Sequence, residues 1–137
     1  MDITKYPQFQ LYLLTLKLLV LKDRLIPEYC DERCINSTII NRAYFSSYLF
    51  CELWLEDVKK FKPLPLEKLD AEEKISEHLQ VRNALYNFGQ KRVRSDLVKL
   101  ANLRKKADYE PYQDLTPQDV SDAINHMEKI FDHLKFD

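Results

Sequence analysis

Among 137 residues this chain has one glycine, Gly89, and that scarcity limits its fold more than any other feature. Glycine enters left-handed backbone without a side-chain clash, so tight hairpins and phosphate-cradling loops use it repeatedly. A chain with one glycine is a poor candidate for a hairpin-rich sheet or for a strand-turn-helix nucleotide loop. Helices joined by a few loops remain. Apolar residues make up 45% of the chain, and the charges nearly balance (Lys+Arg 21, Asp+Glu 22), which argues against disorder. At this length one domain, 1–137, buries a core without disulfides or metal. The expected fold is all-α: a five-helix bundle with an up-and-down core.

Caps and apolar period place the five segments. Pro7 opens the first helix, which runs to Leu25 and is closed by Pro27. Asn36, Ser37 or Thr38 caps the second, which continues to about Val58. The stretch Lys59–Asp70, with Pro63 and Pro65, has no helical period and reads as a linker. The third helix covers about Ala71 to Phe88, with Gly89 as its left-handed stop and Ile75, Leu79, Leu85 and Tyr86 as its inward stripe. The fourth spans about Lys91–Lys106, and Asp108–Leu115 with Pro111 is a loop. Thr116-Pro117-Gln118-Asp119 opens the fifth, which keeps Val120, Ile124, Met127, Phe131 and Leu134 on one face. Trp54 reads as core.

Leu11–Leu21 is apolar except for Thr15 and Lys17, yet too short to span a membrane. It has neither a basic leader nor a small-residue cleavage site, so a cytoplasmic protein is expected. An apolar second side on a terminal helix is either covered by the other helices or meets another chain. Cys30, Cys34 and Cys51 are odd in number and lack a disulfide framework, and they read as buried or partly buried thiols. No metal site or cofactor is expected. His126 and His133, seven apart, read as rim residues.

Charge is uneven along the chain. Between Gly89 and Lys106 lie Lys91, Arg92, Arg94, Lys99, Arg104, Lys105 and Lys106 against Asp96 alone. From Asp108 to the end, eight acids stand against two lysines. The fourth helix is either a contact for a phosphate backbone, through Lys91, Arg92, Arg94 and Lys99, or a solvated face matched by the acidic fifth helix.

The third helix carries His78 and Arg82 one turn apart on a face that should be apolar. Polar groups so placed need partners or a task. His78 is either a core histidine bonded to a serine or a carbonyl, or an acid/base with Arg82 or Arg42 as the cation for a phosphate. Antiparallel second and third helices would set Ser46 and Ser47 level with His78, and Arg42 nearer Arg82 and Tyr86.

Asn41-Arg42-Ala43-Tyr44-Phe45-Ser46-Ser47-Tyr48 resembles the arginine-alanine-tyrosine-tyrosine helix of the HEPN domain family. Leu103-Arg104-Lys105-Lys106-Ala107-Asp108-Tyr109 resembles that family's arginine-x-x-alanine-aspartate-tyrosine element, and His78 falls between the two, where one branch carries a histidine. The resemblance spans Ile35 to Leu134. It implies a small, usually dimeric helical bundle of the kind found in toxin–antitoxin pairs, CRISPR effectors and other defence systems. Many members are metal-independent ribonucleases built on an arginine followed four to six residues later by histidine. This chain departs from that motif: Tyr86 or Asn87 stands where the histidine would follow Arg82.

The expectation is a HEPN-like homodimer, paired through the first helix, that binds RNA or a nucleotide. RNA cleavage without metal is its sharper form, with His78, Arg82 and Arg42 as the catalytic set. A cognate protein, for example a nucleotidyltransferase-like antitoxin, is the expected partner, and no membrane is. Arg104 and Asp108 read as an end-of-helix ion pair, with Tyr109 packed under the loop. The alternative is a non-catalytic module that docks a partner through the apolar first helix.

Overall fold

A 28-residue helix, α2 (Glu32–Lys59), is the axis around which the other four pack. At ~1.5 Å per residue it is long enough to touch each of them in turn. The computed structural model describes residues 2–65, 67, 76–110 and 112–136. A short 3₁₀ turn, Ile3–Lys5, leads into α1 (Pro7–Leu25); α3 (Glu77–Asn87), α4 (Lys91–Tyr109) and α5 (Pro117–His133) follow α2. The all-α five-helix bundle expected from the sequence is what the chain forms. Ala71 to Ile75, proposed as the start of the third helix, and Pro111 of the proposed loop lie outside the described residues. Among the described residues, no helix is long and apolar enough to cross a membrane.

The core is one cluster. Ile39, Ile40, Phe50 and Leu55 of α2 meet Val81 and Leu85 of α3, Leu97 and Leu100 of α4, and Met127 and Ile130 of α5. Each fully buried aliphatic side chain here contributes about 1.5–3 kcal/mol by leaving water. Trp54 joins them, its indole N–H donating to the Lys135 carbonyl at 2.9 Å. Of the cysteines, Cys51 is buried, Cys30 is half-buried, and Cys34 is exposed, contrary to expectation.

Two boundaries differ from the sequence reading. Helix α2 starts at Glu32, not near Asn36: the Asp31 carboxylate accepts from the Cys34 N–H at 2.7 Å and is the true cap. The cap-like residues that follow spend their polar groups sideways. Asn36, fully buried, donates to the Leu115 carbonyl at 3.0 Å, and Thr38 donates back to Cys34. Helix α4 runs on to Tyr109 instead of ending at Lys106, because Ala107 is core and the Arg33 guanidinium donates to the carbonyls of Ala107 and Glu110. Those are carbonyls that a helix C-terminus leaves without internal partners.

Other signals hold to the residue. Gly89, at φ +82°, closes α3 with a paired motif: its N–H donates to Tyr86 and that of Gln90 donates to Leu85 at 2.8 Å. Thr116 and Asp119 form a reciprocal capping box on α5, and the Asp119 carboxylate also holds Lys106 of α4 at 3.0 Å. The linker is tied to α3 at Leu64, whose N–H and carbonyl are both bonded by the Gln80 amide at 2.8 Å.

Helix α1 is the outlier. Thr15 is its one fully buried residue, and it is attached by Phe9 and Tyr12, whose rings pack against Phe131 of α5. Its outer side presents Leu13, Leu14 and Val20 at 49%, 54% and 73% exposure.

Candidate functional site

The inward stripe of α3 is Gln80, Val81, Ala84 and Leu85, one step round from the stripe read off the sequence. Leu79 and Tyr86 are exposed. His78 and Arg82 therefore flank the core and do not interrupt it, and both are half-buried at the seam where α3 meets α2 and α4.

His78 sits in the first turn of α3, where the Ser76 hydroxyl caps the helix by accepting from the Leu79 N–H at 3.1 Å. Tyr44 and Tyr48, one turn apart on α2, supply its surroundings. The imidazole stacks on Tyr48 with ring centroids 4.1 Å apart and meets the edge of Phe45 at 6.4 Å. Its Nδ1 is hydrogen-bonded to the Tyr44 hydroxyl. Among the described residues neither a serine nor a backbone carbonyl is its partner: Ser46 bonds Ala43 and the Met127 sulfur, and Ser47 is buried with its hydroxyl unpartnered there.

Burial, with Arg82 and Arg104 nearby, pushes the His78 pKa below the ordinary histidine value, against a weaker opposing pull from Glu77. Burial also raises the Tyr44 hydroxyl, with the same two arginines pulling the other way. At neutral pH the pair is an uncharged imidazole and an uncharged phenol. One ring nitrogen is engaged by Tyr44, and Nε2 has no partner among the described residues. If the shared proton sits on Nδ1, Nε2 is a base; if it sits on the phenol, Nε2–H is a donor.

Around this pair, Arg82, Asn102, Arg104, Lys105 and Tyr109 line a cleft of about 310 Å³ between α3 and the C-terminal half of α4. Arg104 is held in place: its Nε lies 2.9 Å from Asp108, and its guanidinium lies 5.1 Å from the Phe45 ring centroid and 5.2 Å from that of Tyr109. The expected Arg104–Asp108 ion pair is therefore present. Tyr109 does not pack under the loop; it is 65% exposed at the mouth of the cleft. Arg82 differs from Arg104. It forms no ion pair among the described residues, whereas the Nε atoms of both arginines are buried without a hydrogen-bond partner there.

Arg42, expected as a phosphate cation, does not enter the cleft. It stands two residues before Tyr44, some 200° away around the helix, and is exposed with its guanidinium donating to the Asn41 side chain at 2.5 Å. Arg104 occupies the position anticipated for it. The four basic residues of α4 expected to contact a phosphate backbone divide in the same way. Lys91 and Arg94 face α3, 5.1 and 5.6 Å from the centroid of the Tyr86 ring. Arg92 and Lys99 face α5, beside Asp96, Lys129 and His133. There Asp96 is engaged by His126 at 2.7 Å, so this flank is partly neutralised. Sequence reasoning missed Tyr44, Lys105 and Tyr109 as site residues.

Among the described residues, no three His, Cys, Asp or Glu side chains converge as ligands for a metal ion. Compared with known proteins, the chain matches no family model, no curated protein and no solved structure.

Proposed function

We propose that this chain is a HEPN-like protein of a toxin–antitoxin or defence module that binds RNA in the α3/α4 cleft. One observation carries the reading: the half-buried Arg82 guanidinium, which forms no ion pair among the described residues, beside Arg104, Lys105 and the uncharged His78. A protein does not hold an unpaired cation against two others without cost, and a phosphate is the group that relieves it. The motifs that resemble the HEPN family supply three of the groups, Tyr44, Arg104 and Tyr109. The same cleft has the parts for metal-free cleavage. His78 Nε2 would take the 2′-hydroxyl proton, the 2′ oxygen would attack phosphorus, and the P–O5′ bond would break, with water protonating the leaving oxygen. Arg82 and Lys105 would face the phosphorane charge.

Filter binding of mixed RNA between about 50 and 200 mM salt tests the reading. A steep fall in affinity is expected, whereas absent or salt-insensitive binding overturns it. Gels of the same samples with chelator separate binding from cleavage. Cyclic-phosphate ends made by wild type and not by His78→Ala assign cleavage, and intact RNA leaves binding as the activity. A His78 base must be unprotonated, so kcat/KM would rise with pH through its lowered pKa, with a midpoint below the ordinary histidine value.

A second reading rests on α1. Leu13, Leu14 and Val20 are exposed on one side of it, and we propose a second copy of the chain as their cover. A two-fold antiparallel pairing about Lys17 sets Leu14 opposite Val20 and Leu13 opposite Leu21, with the two Lys17 side chains meeting at the axis. Sedimentation of wild type is expected to give a dimer, and of Leu14→Glu/Val20→Glu a folded monomer. A wild type that sediments as a monomer at all concentrations refutes the pairing.

A further inference from the structure

A second pocket opens one helical turn beyond Arg82, lined by Asn83, Tyr86 and Asn87 of α3 and Arg94 of α4. We infer that it is a subsite for an unpaired nucleobase, which makes the RNA taken by the neighbouring cleft single-stranded. This rests on the RNA-binding reading above.

Three features carry the inference. The first is position. Arg82 and Tyr86 are four residues apart on α3, ~6 Å along the helix, the order of distance between a nucleotide's phosphate and a base one sugar away. Both pockets lie along the α3/α4 seam, so one strand can run from the first to the second.

The second is chemistry. Asn83 and Asn87 are exposed and make no hydrogen bond among the described residues, so each amide offers a donor and an acceptor. That pairing matches a base edge, best that of adenine. Tyr86 is 48% exposed, an aromatic surface for the base to lie on. Lys91 and Arg94 already hold its ring, so little side-chain freedom is lost on binding.

The third is charge. Arg94 Nε is buried without a hydrogen-bond partner, as Arg82 Nε is, and Arg94 forms no ion pair among the described residues. The seam thus carries, at each pocket, a guanidinium with no ion-pair partner among the described residues, the pattern expected for successive phosphates of one strand. A duplex hides its base edges and cannot present one to a pocket between two helices.

Fluorescence anisotropy with labelled single-stranded A, C and U homopolymers and an RNA duplex, on wild type and Asn83→Ala/Asn87→Ala, tests this. Wild type is expected to bind single strands more tightly than duplex and to prefer the A homopolymer by roughly fivefold to hundredfold. The double variant is expected to lose the base preference while keeping its affinity for the weaker homopolymers and its salt slope. A preference unchanged in the double variant overturns the subsite while leaving RNA binding in place. Equal binding of duplex and all single strands does the same. No binding of any RNA by wild type overturns the underlying reading as well.

Discussion

Replacing Arg82 with glutamate is expected to lower RNA affinity by roughly tenfold to hundredfold, the scale of one lost charged hydrogen bond, and to leave the fold intact. The second half of that expectation follows from what Arg82 does not do. It forms no ion pair and its Nε makes no hydrogen bond among the described residues, so their packing does not rest on its charge. Arg104 would be a poorer choice. Its guanidinium is held by Asp108 and lies against Phe45, Tyr44 and Tyr109, so a lost affinity there could be a lost fold. Filter binding measures the affinity, and the salt slope should fall by about 0.7 for the one phosphate contact removed from a single strand. A second readout is independent of RNA. Arg82 is among the groups that hold the His78 pKa down, so its replacement by glutamate should raise the imidazole pKa in an NMR titration. Unchanged affinity in a variant whose His78 pKa has risen would show that the cleft is not where RNA binds.

The sequence announced the helices more clearly than the site, and the reasons differ residue by residue. Gly89, Thr116, Pro117 and Asp119 act within a few residues of themselves, so their caps could be read directly. Asn36, Ser37 and Thr38 look like caps as well, but an interior helix can hide such groups by bonding sideways, and Asn36 does so to Leu115 across the bundle. His78 and Arg82 stood out because polar groups on a helix seam are unusual. Their companions Tyr44 and Arg104 did not, since their meeting depends on how α2 and α4 cross α3. A tyrosine on a central helix reads as core until something bonds its hydroxyl. Two misplacements were avoidable. At 100° per residue, Arg42 lies about 200° from Tyr44, the residue that meets His78, and Arg94 lies about 160° from Arg92 and about 140° from Lys99. Counting basic residues along α4 hid a division that helical phase shows.

Phe131→Ala is expected to cost about 3–5 kcal/mol, a large part of the roughly 5–15 kcal/mol that holds a domain of this size together. The Phe131 ring is where three helices meet. It stacks on Phe50 of α2 with centroids 4.0 Å apart and on Tyr12 of α1 at 4.3 Å, and Phe9 meets it edge-on at 6.0 Å. For α2 and α5 this is one contact among many, because both contribute whole stripes to the core. For α1 it is the aromatic tie to α5, and Thr15 is the one residue that helix buries fully, the rest of its packing being partly buried side chains against α2 and the core. The loss should therefore be uneven. In hydrogen exchange, α1 amides are expected to lose protection first, and trypsin should cut early at Lys17, Lys22 and Arg24, while α2 to α5 stay protected. Phe131→Leu, which keeps most of the volume without the ring faces, should give the same order with a smaller effect. Equal loss of protection in all five helices would show that α1 is part of a single cooperative unit with the rest. Full protection of α1 would show that Phe9, Leu16 and Leu19 hold it without the ring.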